Sequence, residues 1–483
     1  RLNIAAAALG GAQAAYEKAL SYSSERKAFG RSIDKFQSVQ FKIADMFTNL
    51  EVARTFLHQA AWKLDHKTAD ATRACAMAKR HVTDVSFDVA NEALQIHGGY
   101  GYLADYGIEK IVRDLRVHQI LEGTNEIMRV IISRIISGTR WMSDIIITVE
   151  NSTGRIHLNR PKALNALTYE MNDALEAALL SWADDAAITQ IVITAEGEKS
   201  FCAGGDVAEL YRRGVDGDHD YARSYWRDEY RLNALIEAYP KPYIALMQGY
   251  VMGGGVGVSC HGSHRITSQT SRFAMPECAI GLMPDVGGSM LLARAPGYLG
   301  EYLGTTGARM KAGDAIFAGF ADYFVLQEKW PALLKALIAT GTPDCIADFE
   351  SPVLDDLSPI FAKRDEINSL FSAENPRDVV RAIAHQTTPL AAEINQAYSR
   401  QSPLSVLSTI TSIRAVRLSP DMATAIDYEF RFTARSLSDA DFLEGVRAML
   451  IDKDHAPNWK YKTFDDVSDD IIAHMLAPLD APA

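Results

Sequence analysis

Two carboxylates stand eight positions apart in a stretch otherwise suited to burial, the segment MPECAIGLMPDVGG (275–288). Glu277 and Asp285 each follow a proline, and Asp285 runs into a glycine pair. A buried acid costs free energy unless it is paired or used in chemistry. One interpretation is structural, with Asp285 capping the helix that the following apolar residues predict. The other is a catalytic pair, and the segments upstream favour it.

Two glycine-rich segments precede the acids, FCAGGDVAEL (201–210) and MGGGVGVSCHG (252–262). Glycine is needed where the backbone approaches a ligand closely or takes a positive φ. Two helix starts that each offer an N–H can converge on one carbonyl oxygen and stabilise the charge it develops under attack. Each segment alone is also typical of an ordinary turn, so the order of the three segments is the informative feature.

Other motifs built on glycine or histidine do not fit these segments. The dinucleotide pattern G-x-G-x-x-G would end on Val258 or Cys260, depending on the glycine from which it is counted. No G-x-S-x-G elbow of a serine hydrolase is present. His261 and His264 form an H-x-x-H, but no acid or cysteine stands at metal-ligand spacing, so we expect no metal site.

The elements that must position the acids alternate between strand and helix from residue 144 onward. DIIITVEN and GRIHLN are β-branched runs split by a turn, which predicts a hairpin. A helix over 168–184 and the strands QIVITAEG and KPYIALMQG follow, as is typical of an α/β domain. After about residue 300 the pattern returns to helix. We therefore predict an α/β domain with a helical C-terminal region over 141–483.

The first 140 residues differ in character, because all 17 prolines lie at or after Pro161. Alanine-rich stretches at 4–19 and 71–93 predict long helices, and a further helix carries an apolar stripe at steps of three and four. That stripe consists of Ile43, Phe47, Leu50, Ala53, Leu57, Ala61 and Leu64. We predict an all-α bundle over 1–140, with a seam where Met142 precedes the first strand.

Bulk composition limits the possible partners. A chain of 483 residues is expected to form two or three domains. The net charge of −12 argues against nucleic acid, and no apolar run is long enough to span a bilayer. Five scattered cysteines without a C-x-x-C spacing indicate a reducing compartment. The first residues do not reveal a location; we expect a bacterial cytoplasmic protein, or a mitochondrial matrix protein if the source is eukaryotic.

The motif order in the second half, with NRPKALNALT (159–168) ahead of it, resembles the crotonase (enoyl-CoA hydratase) superfamily. Within that superfamily it is most similar to the 3-hydroxyisobutyryl-CoA hydrolase family. The resemblance runs from about residue 144 to the C-terminus. It implies the spiral ClpP/crotonase fold, an acyl-CoA substrate, and a hydrolase that needs no cofactor.

The resemblance also implies roles for five residues. The backbone N–H groups of Gly205 and Gly254 would form an oxyanion hole for the thioester carbonyl. Glu277 would act as base or nucleophile, while Asp285 would bind the substrate hydroxyl and support proton transfer. Glu229 in WRDEYRLN would contact the substrate. Physical chemistry agrees, since thioester hydrolysis needs an oxyanion hole and a carboxylate, and two acids sharing a pocket separate their pKa values.

Hydratases of this superfamily use two glutamates, and this sequence has only one of them. Glu277 occupies the second position, but the first, shortly after the glycine triplet, is Gly257. Adding water across a double bond needs one group to deprotonate water and another to protonate carbon. Asp285 is present where hydratases typically carry glycine. A hydrolase is therefore favoured over a hydratase or isomerase, with 3-hydroxypropionyl-CoA as a close alternative substrate.

Three motifs of the first half resemble the C-terminal helical domain of acyl-CoA dehydrogenases, and isobutyryl-CoA dehydrogenases above all. They are ERKAFGRSIDKFQSVQ (25–40), QIHGGYGYLADY (95–106) and ILEGTNEIMRVIISR (120–134). By that pattern Glu122 is the base that removes an α-proton from an acyl-CoA. The implied FAD contacts are Arg26, Gln37, Gln95, Gly98, Gly99, Thr124 and Glu126, and the implied substrate contacts are Arg1 and Arg134. The structural alternatives are a glycine helix cap and a helix-start acid.

The dehydrogenase family completes its flavin site with an N-terminal helical domain and a β-domain that this sequence does not contain. We therefore expect FAD, although implied by the family, not to bind, and the first half to be inactive alone. Its family counterpart makes subunit contacts, which predicts a homo-oligomer. The two parent activities would be the first and third steps of valine breakdown. A bifunctional dehydrogenase–hydrolase and a non-catalytic CoA-binding scaffold remain open alternatives.

Overall fold

A computed structural model describes residues 1–66, 68, 70–136 and 144–479, without the side chains of 134–136 and 355. The chain divides into two units, Arg1–Trp141 and Met142–Ala483. None of the helices in the described ranges is both long enough and apolar enough to cross a membrane.

The first unit is helical, apart from one short β-hairpin. Its elements are α1 (Leu2–Glu25), β1 (Lys27–Ala28), β2 (Arg31–Ser32), α2 (Gln37–Asp65), α3 (Ala71–His97), α4 (Ile108–His118) and α5 (Asn125–Ile136). Alanines at helical spacing on α1 and α3 are fully buried, which lets the two backbones approach closely. Larger apolar side chains from α2 and α4 complete this core.

The apolar stripe predicted on α2 is only partly correct. Leu50, Ala53 and Leu57 are buried as predicted, but Phe47 and Leu64 are each 51% exposed. The buried face continues instead through Met46, Ala60 and the middle of the helix. Near the ends of a long helix, apolar residues at steps of three and four can lie on either of two neighbouring faces. Packing of α2 against α1 and α3 buries the face that carries Met46 and Ala60, and not the one that carries Phe47 and Leu64.

The second unit contains two sheets. Its strands are β3 (Ile145–Glu150), β4 (Thr153–Leu158), β5 (Gln190–Ala195), β6 (Ser200–Cys202), β7 (Tyr243–Met247), β8 (Tyr250–Met252), β9 (His264–Thr267), β10 (Arg272–Ala274) and β11 (Tyr323–Phe324). The larger sheet has the order β11-β9-β7-β5-β4-β3 and the smaller one β10-β8-β6. The predicted hairpin is confirmed as the antiparallel pair β3–β4, and all other pairs in these sheets are parallel.

The chain alternates between these two sheets from β5 to β10. Odd-numbered strands join the larger sheet and even-numbered strands the smaller one, each in sequence order. Each turn of chain therefore adds one parallel strand to each sheet, which gives a spiral. The loops that leave the three short parallel strands consequently lie at one edge of the smaller sheet.

Helices surround the sheets and make up most of the described C-terminal region. They are α6 (Tyr169–Ala183), α7 (Val207–Val215), α8 (His219–Glu237), α9 (Gly254–Gly257), α10 (Gly288–Arg294), α11 (Leu299–Thr306), α12 (Ala312–Phe317), α13 (Trp330–Thr340), α14 (Arg364–Leu370), α15 (Pro376–Ala384), α16 (Pro389–Tyr398), α17 (Pro403–Arg417), α18 (Met422–Ser436), α19 (Phe442–Val446) and α20 (Asp469–Leu476). Two of them, α8 and α18, pack against each other, and α18 also packs against α10.

Candidate active site

The three motifs of the second half follow the three strands of the smaller sheet. Gly205 lies just after β6, Gly254 just after β8, and Glu277 just after β10. Because these strands are parallel, their carboxyl ends meet at one edge, where ligands commonly bind in α/β folds. The spiral thus brings together residues that are separated by more than 70 positions in sequence.

The N–H groups of Gly205 and Gly254 lie beside each other. The backbone of Leu167 pairs with the carbonyl of Gly204 and the N–H of Asp206, so the N–H of Gly205 faces the opposite side. A Cβ atom added to Gly254 would stand 3.2 Å from the Gly205 nitrogen. As the first residue of α9, Gly254 offers an N–H that the helix itself does not use.

The Glu277 carboxyl group lies against this pair of glycine loops. A Cβ atom on Gly253, whose φ is +48°, would approach Glu277 Oε1 to 3.0 Å, so a side chain there would displace the acid. Glu277 is only 5% exposed, and its Oε2 atom has no hydrogen-bond partner among the described residues. A buried, unpaired carboxyl oxygen is costly in a folded chain and indicates a group reserved for a ligand.

Asp285 is also buried and is held by a tyrosine. The hydroxyl of Tyr230 on α8 donates to Asp285 Oδ2 at 2.8 Å and lies 3.3 Å from Thr433 Oγ1 on α18. Asp285 does not cap the following helix, since α10 begins at Gly288 and its N-cap is Gly287. The structural interpretation of Asp285 as a helix cap is therefore wrong.

The helix is capped instead by an acid from the C-terminal region. The Glu429 carboxylate on α18 accepts hydrogen bonds from Gly287 N at 2.7 Å and Ser289 N at 2.9 Å. Between Asp285 and this cap, Val286 has a φ of +55°, a strained value for a β-branched residue. His261 Nε2 donates to the Val286 carbonyl at 2.8 Å and helps to fix the turn. Glu429 thus leaves the Asp285 carboxylate free for other contacts.

Burial raises the pKa values of all four acids in this region. The pKa of Asp285 rises to about 6, although the Tyr230 hydrogen bond opposes the rise. Burial, with the charge of Asp285 adding to it, raises the pKa of Glu277 well above its ordinary value. The pKa values of Glu229 and Glu429 rise to about 8 and about 7, again through burial first. Burial and mutual repulsion therefore oppose the simultaneous ionisation of Glu277 and Asp285.

One face of α8 lines the glycine loops with polar side chains. A Cβ atom on Gly205 would stand 2.8 Å from the Tyr225 hydroxyl, and one on Gly254 would stand 2.9 Å from Glu229 Oε1. Tyr225 and Glu229 are four residues apart, so they project from the same face of the helix. Glycine at 205 and 254 thus leaves space for these groups.

Sequence reasoning missed the residues that hold the acids in place. Tyr230 and Glu429 carried no motif, but Glu429 lies inside a buried stripe with Met422, Ala425 and Phe432. An acid in the apolar stripe of an amphipathic helix was a usable signal. Tyr230 had no comparable signal, because its role depends on the fold alone.

In the first unit, Glu122 occupies an open position. Its φ is +57°, and it precedes α5 rather than starting it. The backbone nitrogen of Arg1 lies 3.5 Å from Glu122 Oε2, which places these two predicted residues side by side. The Glu122 side chain is 57% exposed, however. Arg134 lies in α5, but its side chain is outside the described residues, as is Met142.

The residues predicted to contact FAD are only partly brought together. Arg26, Gly98 and Gly99 line a cavity of about 430 Å³, with the Arg26 guanidinium 5.3 Å from the centre of the Tyr100 ring. Gly98 also caps α3, as the structural alternative held. The remaining predicted contacts, Gln37, Gln95, Thr124 and Glu126, are not among the lining residues of this cavity.

The fit of this cavity to FAD is therefore partial. Phe29 is 96% exposed and Tyr102 is 74% exposed, close in sequence to the lining residues on each side. Thr124 accepts a hydrogen bond from Ile127 N, and Glu126 pairs with Arg129 at 3.1 Å. The residues present supply one wall for a flavin.

Neither histidine of the H-x-x-H belongs to a metal site in the described ranges. His261 binds the Val286 carbonyl, and the His264 ring stacks on Tyr323. Across the described residues, no group of three or more histidine, cysteine or acidic side chains is arranged to hold a metal ion.

Both units match known protein families. Residues 153–476 match the family model described as enoyl-CoA hydratase/isomerase. Residues 1–137 match the one described as acyl-CoA dehydrogenase, C-terminal domain. The fold class predicted from the sequence is confirmed by these matches.

Relatives and solved structures carry different names. The chain is 38% identical over 346 residues to a Gallus gallus protein named 3-hydroxyisobutyryl-CoA hydrolase, mitochondrial. This match covers 70% of this chain and 89% of the relative. A crystal structure of an enoyl-CoA hydratase from Rhodobacter sphaeroides 2.4.1 is 48% identical, with a TM-score of 0.66, over 70% of this chain and 98% of that one. A carnitinyl-CoA dehydratase structure from Mycobacterium thermoresistibile is 37% identical, with a TM-score of 0.67, over 70% and 97%.

Proposed function

Because the chain belongs to the enoyl-CoA hydratase/isomerase family, we propose that its second unit hydrolyses the thioester of 3-hydroxyisobutyryl-CoA to 3-hydroxyisobutyrate and CoA. The observation that carries the proposal is the buried pair Glu277 and Asp285 beside the adjacent N–H groups of Gly205 and Gly254. The relatives named as hydrolases of this thioester support the choice of substrate.

The oxyanion hole and Glu277 supply the essential chemistry. Glu277 as a carboxylate takes a proton from water while the hydroxide adds to the thioester carbon. The carbonyl oxygen becomes negative and is stabilised by the N–H groups of Gly205 and Gly254. When the C–S bond breaks, the oxyanion reforms the carbonyl and the proton passes to the sulfur of CoA. Glu277 works as a base only when it is ionised, so in this cycle the Asp285 carboxylate takes up any proton that Glu277 carries in the free site.

Glu277 also has a nucleophilic route available. Its carboxylate would attack the thioester carbon and expel CoA, leaving a mixed anhydride that water then hydrolyses. A single turnover in H₂¹⁸O distinguishes the routes by where the label enters. If water opens the anhydride at the carboxyl carbon of Glu277, ¹⁸O remains in Glu277. In the general-base route only the released acid carries the label.

A hydratase is the second candidate, and the solved structure named as an enoyl-CoA hydratase favours it. Against it stands Gly257, where hydratases of this superfamily carry a glutamate. A Cβ atom at 257 would stand 2.7 Å from Asn233 Nδ2 and 2.8 Å from the Val286 Cβ atom. The space that the hydratase acid needs is therefore filled by other side chains.

Thiol release from synthetic acyl-CoA esters tests the proposal. We expect CoA to be released from 3-hydroxyisobutyryl-CoA, and more slowly from 3-hydroxypropionyl-CoA, with no change in the absorbance of crotonyl-CoA. A thiol reagent and mass analysis of the acid follow the reaction. Loss of enoyl absorbance without thiol release would reverse the ranking of hydrolase and hydratase. Binding of CoA without turnover of any ester would indicate a scaffold instead.

For the first unit we propose an oligomerisation role without flavin chemistry. Its residues offer FAD a single wall, and losing half of its contacts should remove most of the affinity for so long a ligand. Exposed apolar side chains such as Phe41, Trp62, Ile120 and Leu121 would favour self-association.

Two measurements on the full chain test this role. Purified protein should show no flavin absorption band at one per chain, and isobutyryl-CoA should reduce no electron acceptor. Deleting residues 1–141 should change the oligomer size seen by light scattering while thioester turnover stays within about twofold. Loss of hydrolysis on deletion would show that the two units are functionally coupled.

We further propose that the protein works in a reducing compartment, either a bacterial cytoplasm or the mitochondrial matrix. All five cysteines are unpaired, and four of them are buried. Fractionation of the source cells, with detection of the chain by mass spectrometry, tests the location.

A further inference from the structure

The polar face of α8 extends one turn beyond Glu229, to Asn233. Tyr225, Glu229 and Asn233 follow each other at steps of four residues, and all are almost fully buried. Each stands against a glycine that has no side chain to fill the space. For Asn233 this glycine is Gly257, and a Cβ atom there would lie 2.7 Å from the amide nitrogen.

The Asn233 amide has no hydrogen-bond partner in the part of the chain that the structure describes. Neither its Nδ2 nor its Oδ1 atom makes a hydrogen bond, and the residue is 0% exposed. An unsatisfied buried amide is costly, so a group of this kind is expected to find its partner in a bound molecule. An amide both donates and accepts, which matches a hydroxyl better than an apolar chain or a purely anionic group.

Its position relative to the oxyanion hole identifies which part of the substrate it can meet. Gly254 and Gly257 are the first and last residues of α9, so the Asn233 amide at Gly257 lies about one helical turn from Gly254, whose N–H belongs to the proposed oxyanion hole. The Cβ position at residue 257 also lies 2.8 Å from Val286 Cβ, and Val286 directly follows Asp285 in the chain. The polar group of a β-hydroxyacyl thioester that lies just beyond the carbonyl is its hydroxyl.

We propose that the Asn233 amide hydrogen-bonds the hydroxyl group of the acyl chain and so determines the specificity for hydroxylated over plain acyl thioesters. The inference rests on the proposed function. The amide N–H donates to the hydroxyl oxygen, while the hydroxyl hydrogen is directed to an oxygen atom of the Asp285 carboxyl group. Gly257 is then required because any side chain would displace the amide.

Comparison of two substrates tests the role of Asn233. The ratio of kcat/KM for 3-hydroxyisobutyryl-CoA to that for isobutyryl-CoA should fall by at least about tenfold in Asn233→Leu, with isobutyryl-CoA itself turned over as before. Gly257→Ala should give the same loss, because its new methyl group displaces the amide. Asn395→Leu is a matched control, since the Asn395 amide donates to the Ile383 carbonyl in the C-terminal region.

Either of two results would contradict the role of Asn233. An equal fall for both substrates, or no change for either, would overturn the role in specificity. If the leucine variant fails to fold, Asn233→Ala provides the same comparison with a smaller side chain. Binding of the two esters to Glu277→Gln, with and without Asn233→Leu, measures hydroxyl recognition without turnover. If the wild type hydrolyses neither ester, the proposed function fails, while this binding ratio still decides the role of Asn233.

Discussion

Each unit of this chain carries an acid that family resemblance marks as a base, but the two acids stand in opposite surroundings. Glu277 is 5% exposed and lies against glycine loops, and burial and the charge of Asp285 raise its pKa. The Glu122 side chain is 57% exposed. Both acids lie within sequence motifs, and these motifs are equally recognisable.

The difference lies in what covers each acid. In the second unit, α8 and α18 supply Tyr230 and Glu429 from more than 45 residues upstream and more than 140 downstream of the catalytic turn. Their burial places the acids in a medium of low dielectric, where pKa values and charge interactions shift strongly. Among the described elements, none buries Glu122 in this way. A catalytic acid is thus defined as much by its enclosure as by its motif.

The largest effect is expected from removing each acid in turn. Glu277→Gln should reduce the rate of thiol release by about a hundredfold or more, because the amide neither activates water nor attacks. Glu122→Gln should leave that rate unchanged. Glu328→Gln, a change of an exposed glutamate in the second unit, serves as the control. Full activity of the Glu277 variant would break the comparison between the two acids.

Removing the cap from the catalytic turn should have the next largest effect. Glu429→Ala leaves the N–H groups of Gly287 and Ser289 unsatisfied, at about 1–3 kcal/mol each. We expect a lower melting temperature and, in the protein that remains folded, a kcat about tenfold lower. Glu429→Gln retains one acceptor oxygen and should be intermediate. A lower melting temperature with unchanged kcat would assign Glu429 to stability alone.

The pH profile sharpens the role of Asp285. Its pKa is raised to about 6, so its carboxylate is present above that pH and is lost as the pH falls through 6. We expect kcat/KM to fall by about tenfold per unit below this point. Tyr230→Phe removes a hydrogen bond that stabilises the carboxylate and should move this limb to higher pH. A limb that does not move would exclude Asp285 as its origin.

The smallest effect concerns stability. Burial raises the pKa of Glu229 to about 8, above the value of an unfolded glutamate, so its neutral form favours the fold. This contribution is complete below the unfolded pKa of about 4.3 and is lost as the pH rises through about 8. Glu229→Gln should therefore lose fewer degrees of melting temperature between pH 6 and pH 9 than the wild type. Parallel losses in both proteins would contradict a buried, titrating Glu229.

Much of the fold could be predicted from local patterns. The β3–β4 hairpin, the α/β alternation and the long helices of the first unit follow from β-branched runs, turn signals and alanine spacing. The phase of α2 could not be predicted at its ends, where Phe47 and Leu64 proved to be exposed. A stripe of small and large apolar residues is compatible with burial of either of two neighbouring faces of α2. Which face is buried depends on the helices packed against it.

The candidate site divides in the same way. Sequence by itself indicated the glycine loops and the acids Glu277 and Asp285, because backbone approach and charge require particular residue types at particular spacings, and it indicated Glu229 through the family resemblance. The tertiary structure decided what those residues are free to do. Only there does Glu429 cap α10 so that Asp285 can meet Tyr230, and only there does Asn233 fill the space beside Gly257. Contacts between segments so far apart in the chain leave no local pattern, since they depend on the packing of whole helices.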